Sequence, residues 1–324
     1  MRLSLLDRSR TRTGHPEAAA LSHSVERAVN AERLGYARFW AAEHHAVPGI
    51  ASGSPAVLLA AAGAHTSRIR LGSGGVMLPQ HQPLVVAEQF LMLQALYPDR
   101  IDLGLGRTLG FTEPVRRALR QNTDDVDTYA EDLAELLSYL DRSAAVTARP
   151  LARQSPQPFL LATGQGLKTA AALGMPVVVG GPILQDPDIS EAMTAYRRDF
   201  IPSSAAAEPA VIISTDVYLA DTEAEARGLA LPEIYAMARA RETGAFGPLE
   251  PVEEIRSQKW SAQTQRRVEK SMGRAVAGTR AAVGSRLEQL VETTGADELM
   301  VSTSTYDRQA LAGIDAEMAQ LVTG

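Results

Sequence analysis

The stretch Arg38-Phe39-Trp40-Ala41-Ala42-Glu43-His44-His45 decides how this chain is read. An apolar, aromatic, strand-like run stops abruptly at a carboxylate and two imidazoles, and two of the chain's six histidines stand there side by side. A strand that ends in ionisable groups is how a β/α barrel presents chemistry, because the C-terminal ends of its strands carry the site. A solvated surface loop fits this run equally well, so its surroundings decide.

Working outward, short apolar runs at 3–6, 38–42, 69–74, 101–105, 159–162, 177–180, 211–219 and 298–302 predict eight strands. Longer runs at 18–34, 55–64, 83–96, 126–140, 167–173, 287–293 and 308–321 predict helices between them. In the first helix Ala20, Leu21, Val25, Ala28, Val29 and Leu34 recur near the 3.6 period, and Gly35 is placed to stop it. Thr222-Glu223-Ala224-Glu225 opens a further helix. Strands alternating with helices over 324 residues point to one α/β domain, a (β/α)8 TIM barrel, rather than a doubly wound sheet. Residues 240–279 break the rhythm with a polar, Gly- and Pro-containing and then strongly charged run, which predicts an inserted lid segment between strands seven and eight. The helix at 55–64 is apolar nearly all round, which predicts burial beneath the chain's own helices or against a second copy.

Composition narrows the chemistry. There is no Cys, which excludes disulfides, thiolate metal sites and a thiol nucleophile and agrees with a cytoplasmic home. A net charge of −6 without a basic run predicts no nucleic-acid partner. No run approaches the roughly 20 apolar residues of a membrane span, and the opening apolar stretch ends at Asp7, so neither a membrane partner nor a signal peptide is expected.

The strand ends hold the candidates. Strand two offers Glu43, His44 and His45; strand three Gly74 and Gly75; strand four Gly106 and Arg107; strand five Thr163, Gly164, Gln165 and Gly166; strand six Gly180-Gly181-Pro182. Glycines let backbone approach a flat ligand closely. The 163–166 turn opens a helix whose free amides and dipole suit a phosphate, and Arg107 adds a planar cation. Together they predict a phosphorylated aromatic cofactor across the mouth. Gly104-Leu105-Gly106 falls short of a dinucleotide fingerprint. A metal on Glu43, His44 and His45 is not expected, since sequence neighbours rarely point at one ion.

Longer stretches carry a resemblance. They are the 38–45 run, Pro48-Gly49-Ile50-Ala51-Ser52-Gly53-Ser54-Pro55, Ile69-Arg70-Leu71-Gly72-Ser73-Gly74-Gly75-Val76-Met77-Leu78-Pro79, Val85-Val86-Ala87-Glu88-Gln89-Phe90, Asp99-Arg100-Ile101-Asp102-Leu103-Gly104-Leu105-Gly106-Arg107 and Thr294-Gly295-Ala296-Asp297-Glu298-Leu299-Met300-Val301. In these the chain resembles the bacterial luciferase-like flavin monooxygenases over nearly its whole length. The resemblance implies a TIM barrel that takes reduced FMN (FMNH2) from a separate flavin reductase. With O2, through a C4a-peroxyflavin, it would oxygenate a small organic substrate, a step of the kind that tailors secondary metabolites. It also implies a homodimer. His44 is then the active-site His and Glu43 its orienting neighbour. Gly74-Gly75 stands where the family has a non-prolyl cis peptide against the flavin ring. Arg107, Thr163, Gly164 and Gln165 stand at the FMN phosphate, and Glu113 stands where relatives place an acid near the flavin. His45 is expected to be structural. The chain departs from its relatives in a phosphate turn with fewer hydroxyls, in Gly106 where luciferase keeps a Cys, and in Gly180-Gly181-Pro182 where relatives carry a polar run. An F420-dependent oxidoreductase of the same fold and a non-catalytic flavin-binding protein are the alternatives.

Overall fold

The computed structural model describes residues 1–121 and 127–323. In chain order the elements are β1 (Arg2–Asp7), α1 (Ala18–Arg33), β2 (Arg38–Ala41), α2 (Pro55–Ala64), β3 (Arg70–Ser73), β4 (Val76–Met77), α3 (Pro83–Leu96), β5 (Ile101–Gly106), α4 (Glu113–Ala118), α5 (Tyr129–Asp141), β6 (Gln157–Leu161), α6 (Gln165–Ala172), β7 (Val177–Gly180), α7 (Ile189–Arg198), β8 (Val211–Thr215), β9 (Val217–Leu219), α8 (Glu223–Thr243), α9 (Val252–Ser257), α10 (Ala262–Met272), β10 (Val276–Gly278), α11 (Arg280–Thr294), β11 (Glu298–Val301) and α12 (Arg308–Thr323). Strands β1, β2, β3, β5, β6, β7, β8 and β11 pair in parallel, and the β3–β5 pairing closes them into an eight-stranded barrel. All eight expected strands are present. The expected helix start at Val126 lies outside the described residues.

The barrel is built on the period-2 alternation of its strands. Phe39, Ala41, Leu71, Leu103, Val177, Val179, Ile213 and Leu299 face outward and join the large core shared with the helices. Trp40, Phe159, Val178, Ile212 and Met300 face inward and fill the middle of the barrel. Trp40 packs edge-on against Phe159 at 5.2 Å between ring centroids. Two of its neighbours are glycines for room: a side chain at Gly72 or Gly104 would run into the Trp40 ring. Below this apolar layer, at the N-terminal ends of the strands, Arg38 bridges Asp102 at 2.7 Å and Glu298 at 2.9 Å, and all three are buried. Asp102 also accepts from Arg70 at 2.6 Å and from the Trp40 indole at 3.1 Å. Parallel strands covered on both faces are the usual condition for this architecture.

Local sequence signals set several helix ends. Pro55 and Pro83 open α2 and α3, where the missing N–H costs nothing. Thr222 and Glu225 form a reciprocal capping box at the start of α8, and Gly244 in the left-handed region ends it. Gly35 follows α1 at φ +84°, as expected.

One expectation needs correction. The long strand expected at 211–219 is two strands. Asp216 breaks it because its carboxylate turns to Arg8 and Ser302, each at 2.7 Å, and the next amide, of Val217, donates to the Thr303 hydroxyl. The second half, β9, leaves the barrel and pairs with β10. The insertion expected at 240–279 lies between barrel strands seven and eight and holds the end of α8, then α9, α10 and β10. Their apolar side Ile255, Val268 and Met272 packs with Tyr218, Ile234 and Tyr235 into a small second core. Within this chain helix α2 is covered on one side only: Leu58, Leu59 and Ala62 face inward while Val57 is 71% exposed. Among the described residues no helix is long and apolar enough to cross a membrane.

Candidate active site

The C-terminal ends of the barrel strands open into a cavity of about 770 Å³. That lies within the roughly 300–1,000 Å³ usual for cofactor and substrate sites. Its inner wall is apolar: Leu6, Trp40, Met77, Leu161, Val178 and Met300. Gly74 lines it, and the Gly74-Gly75 peptide bond is cis, at the position the resemblance implied. A side chain on Gly75 would press on the Gly104 carbonyl, and one on Gly74 would displace the end of the Leu6 side chain, so glycine keeps this ledge flat.

Arg107, Thr108 and Thr163 line the cavity on the side of β5 and β6. Arg107 is exposed, ion-paired with Asp127, and its guanidinium lies 5.5 Å from the Tyr129 ring centre. Gly164, at φ +51°, caps α6, whose first residue is Gln165. Gly164 and Gln165 are exposed beside Thr163 without lining the cavity themselves. At the helix start the Gly166 and Leu167 amides donate to Thr163 O at 2.9 Å and Gly164 O at 3.1 Å, and the positive end of the helix dipole favours an anion there. Glu113 is not brought to the site. It starts the surface helix α4, pairs with Arg117 one turn on, and lies outside the cavity.

The histidines are arranged differently from the expectation. Glu43 does not orient His44. Its buried carboxylate accepts from His45 Nε2 at 2.8 Å and from His81 Nε2 at 2.7 Å, both on the same oxygen. Neighbouring residues leave the strand end in different directions, so the partner of Glu43 comes from His45 and from the loop after β4. Burial would raise the Glu43 pKa, but the hydrogen bonds from His45 and His81 outweigh it and hold the carboxyl below its usual range. These three ligand atoms lie within 4.8 Å of one another, a donor set that a divalent cation can use, although here the imidazoles bond to the carboxylate directly.

Glu43→Gln is therefore expected to destabilise the protein by about 1–3 kcal/mol near neutral pH, the cost of weakening a charge-assisted buried pair. A carboxyl with a depressed pKa stabilises the fold above its unfolded value, and the contribution is lost as pH falls through the folded value. The gap in melting temperature between wild type and variant should close in acid; a gap that persists unchanged below pH 3 would contradict the ionised role.

His44 is partly buried and does not line the cavity. Its amide donates to Ser52 O at 2.9 Å, and its Nδ1 is buried with no partner. Burial, then the charges of Arg8 and Arg10, push its pKa down to about 4, against the weaker pull of Glu43 and Glu233. It is a neutral imidazole at physiological pH.

One group was not foreseen from the sequence. Arg8, at the end of β1, donates to Asp216 at 2.7 Å and Glu233 at 3.0 Å, and all three line the cavity. Arg10 holds the other Glu233 oxygen at 2.8 Å. Burial would lower the Arg8 pKa, but Asp216 and Glu233 reverse this and raise it. Nothing in sequence spacing joins residues 8, 216, 233 and 302. The abrupt charge of Glu233 within an apolar stretch of α8 was the available signal.

The luciferase-like monooxygenase family model matches residues 1–298. A luciferase-like monooxygenase of Escherichia coli (strain K12) is 36% identical over 314 residues, covering 95% of this chain and 92% of that protein. An N-acetyl-S-alkylcysteine monooxygenase of Bacillus subtilis (strain 168) is 38% identical over 236 residues, 70% of each chain. The solved structure of apo-MsnO8 superposes with a TM-score of 0.85 at 33% identity, covering 98% of this chain and 97% of that one.

Proposed function

Since the chain belongs to the luciferase-like monooxygenase family, we propose that it uses reduced FMN and O2 to oxygenate a small organic substrate. A separate reductase would supply the FMNH2, because the sequence holds no nicotinamide fingerprint. The observation that carries this reading is the Gly74-Gly75 glycine ledge on an apolar cavity whose rim holds Arg107 and the Thr163 turn. The residues fit the cofactor: the Gly74-Gly75 backbone would hold a flat ring, and Arg107 with the Thr163 turn would hold its phosphate.

When bound, reduced FMN supplies the electrons for O2 activation. The chain's own residues do the rest. Leu6, Trp40, Met77, Leu161 and Met300 keep water from the ring. The ledge would orient the ring, and Arg107, now paired with Asp127, would hold the phosphate. His44, neutral and with Nδ1 unbonded, takes a proton from the substrate side.

A homodimer belongs to the same reading. Val57 on α2 and Val85, Met92 and Leu96 on α3 are exposed apolar groups on two packed helices, which a second copy would cover. So does a cytoplasmic setting, which suits a chain without Cys and a reductase partner.

Rapid mixing of the protein loaded with reduced FMN against oxygenated buffer tests the reading. A flavin spectrum that decays more slowly than free reduced flavin and differs from it supports the proposal. Autoxidation identical to free flavin, or binding of F420 in preference to FMN, would overturn it.

A further inference from the structure

The cavity is far more basic than the chain that forms it. The whole chain carries −6, yet Arg8, Arg107 and five further cations line the cavity against two carboxylates, Asp216 and Glu233. Both carboxylates are already taken, by Arg8 and, for Glu233, by Arg10 as well. The five further cations are Arg241, Arg267, Lys270, Arg274 and Arg286.

Arg267 donates to the Ala238 carbonyl at 3.4 Å, and Arg286 to the Gln289 amide oxygen at 3.1 Å. They come from α8, from the α10 end of the insertion and from α11. The Gln185 side chain bonds the Arg274 carbonyl at 3.3 Å, so the insertion docks over the loop after β7. The cations therefore stand on the β7 side of the mouth, and Arg107 and Thr163 stand at the ends of β5 and β6. Arg267 lies close enough to Glu242 to help hold that carboxyl's pKa down, which leaves Arg241, Lys270, Arg274 and Arg286 without an ion-pair partner among the described residues. Such like charges repel one another, and a positive rim on an apolar cavity concentrates anions.

We propose that this cavity takes an anionic substrate, an apolar organic molecule ending in a carboxylate, sulfonate or phosphate. The apolar part lies over the ledge and the anionic end is held by Lys270, Arg274 and Arg267. The inference rests on the flavin reading above for the placement of the reacting end, but not for the charge of the substrate. A phosphate has the same chemistry and could come from the cofactor, so the test separates the two sources.

Hexanoate and hexan-1-ol serve as probes, titrated by calorimetry into the full-length protein with FMN bound. Hexanoate is expected to bind about tenfold more tightly at low ionic strength, with the preference shrinking as salt screens the rim. Lys270→Gln with Arg274→Gln should remove the preference and leave hexanol binding unchanged. Riboflavin and FMN are titrated alongside. If the double variant loses FMN affinity but not riboflavin affinity, and hexanoate still outbinds hexanol, the cations hold the cofactor's phosphate and the proposal is overturned. Equal binding of the two probes to wild type also overturns it. If FMN itself fails to bind, the flavin reading falls, and the same probe comparison on the flavin-free protein still decides the charge of the ligand.

Discussion

His44→Ala is expected to lower turnover by about 10²–10⁴-fold while FMN affinity stays near wild type, the usual loss when a positioned acid–base group is removed. The side chain does not line the cavity, but catalytic hydrogen bonds often tighten only once ligands are bound. What separates a chemical role from a packing role is the pH profile. The His44 pKa is held down at about 4, so the imidazole stays deprotonated across pH 5–8 and the acid limb of kcat/KM should fall near 4, not near 6.5. In the variant that limb should vanish, and added imidazole should restore part of the rate. A variant with wild-type turnover, or one that keeps the limb, would remove His44 from the mechanism. The same shift carries a stability consequence. A His with a depressed folded pKa stabilises the fold above its unfolded value of about 6.5 and loses that contribution as pH falls through about 4. Acid unfolding of wild type should therefore begin in that window and be blunted in the variant.

Asp102→Ala should have the largest effect on stability. Asp102 is fully buried and accepts from Arg38, Arg70 and the Trp40 indole. Removing it leaves the Arg38 guanidinium buried with only Glu298, and breaking a buried pair in this way costs about 3–5 kcal/mol. Total stabilities are about 5–15 kcal/mol, so a large share is at risk. Urea unfolding followed by tryptophan fluorescence reads it, and a midpoint unchanged from wild type would show that the cluster contributes nothing. A second variant guards the interpretation: replacing Arg38, Asp102 and Glu298 together by Met and Leu should recover much of the loss, because the uncompensated charge is then gone.

The barrel was legible in the sequence because each strand is an apolar run packed on both faces. The outward set is hydrophobic and carries the signal, while the inward set mixes an apolar layer with glycines and with the buried charges of Arg38, Asp102 and Glu298. What ends a strand was harder. Asp216 sits inside an apolar stretch, and the groups that turn it out of the barrel, Arg8 and Ser302, are distant along the chain. The same limit hid the partner of Glu43. His45 stood beside it in plain view, but His81 reaches it only through the closure of the fold. Of the residues read as a site, the structure gathers Gly74, Arg107 and Thr163 on the cavity. It places Gly75, Gly164 and Gln165 beside it, leaves His44 off its lining, and sets Glu113 away from it. The insertion was read from polarity and charge alone, so its helices were missed: α9 and α10 have few apolar positions to announce them, and their core is completed by α8 and β9.

The inward layer of Trp40, Phe159, Val178, Ile212 and Met300 above the Arg38–Asp102–Glu298 cluster has a kinetic corollary. It makes the barrel a blind tube, open at one end, so every molecule that comes and goes shares a single doorway. A ligand lying flat on the Gly74-Gly75 ledge is the deepest in that tube. It must arrive before whatever rests on top of it and leave after it, which imposes an order of binding and release.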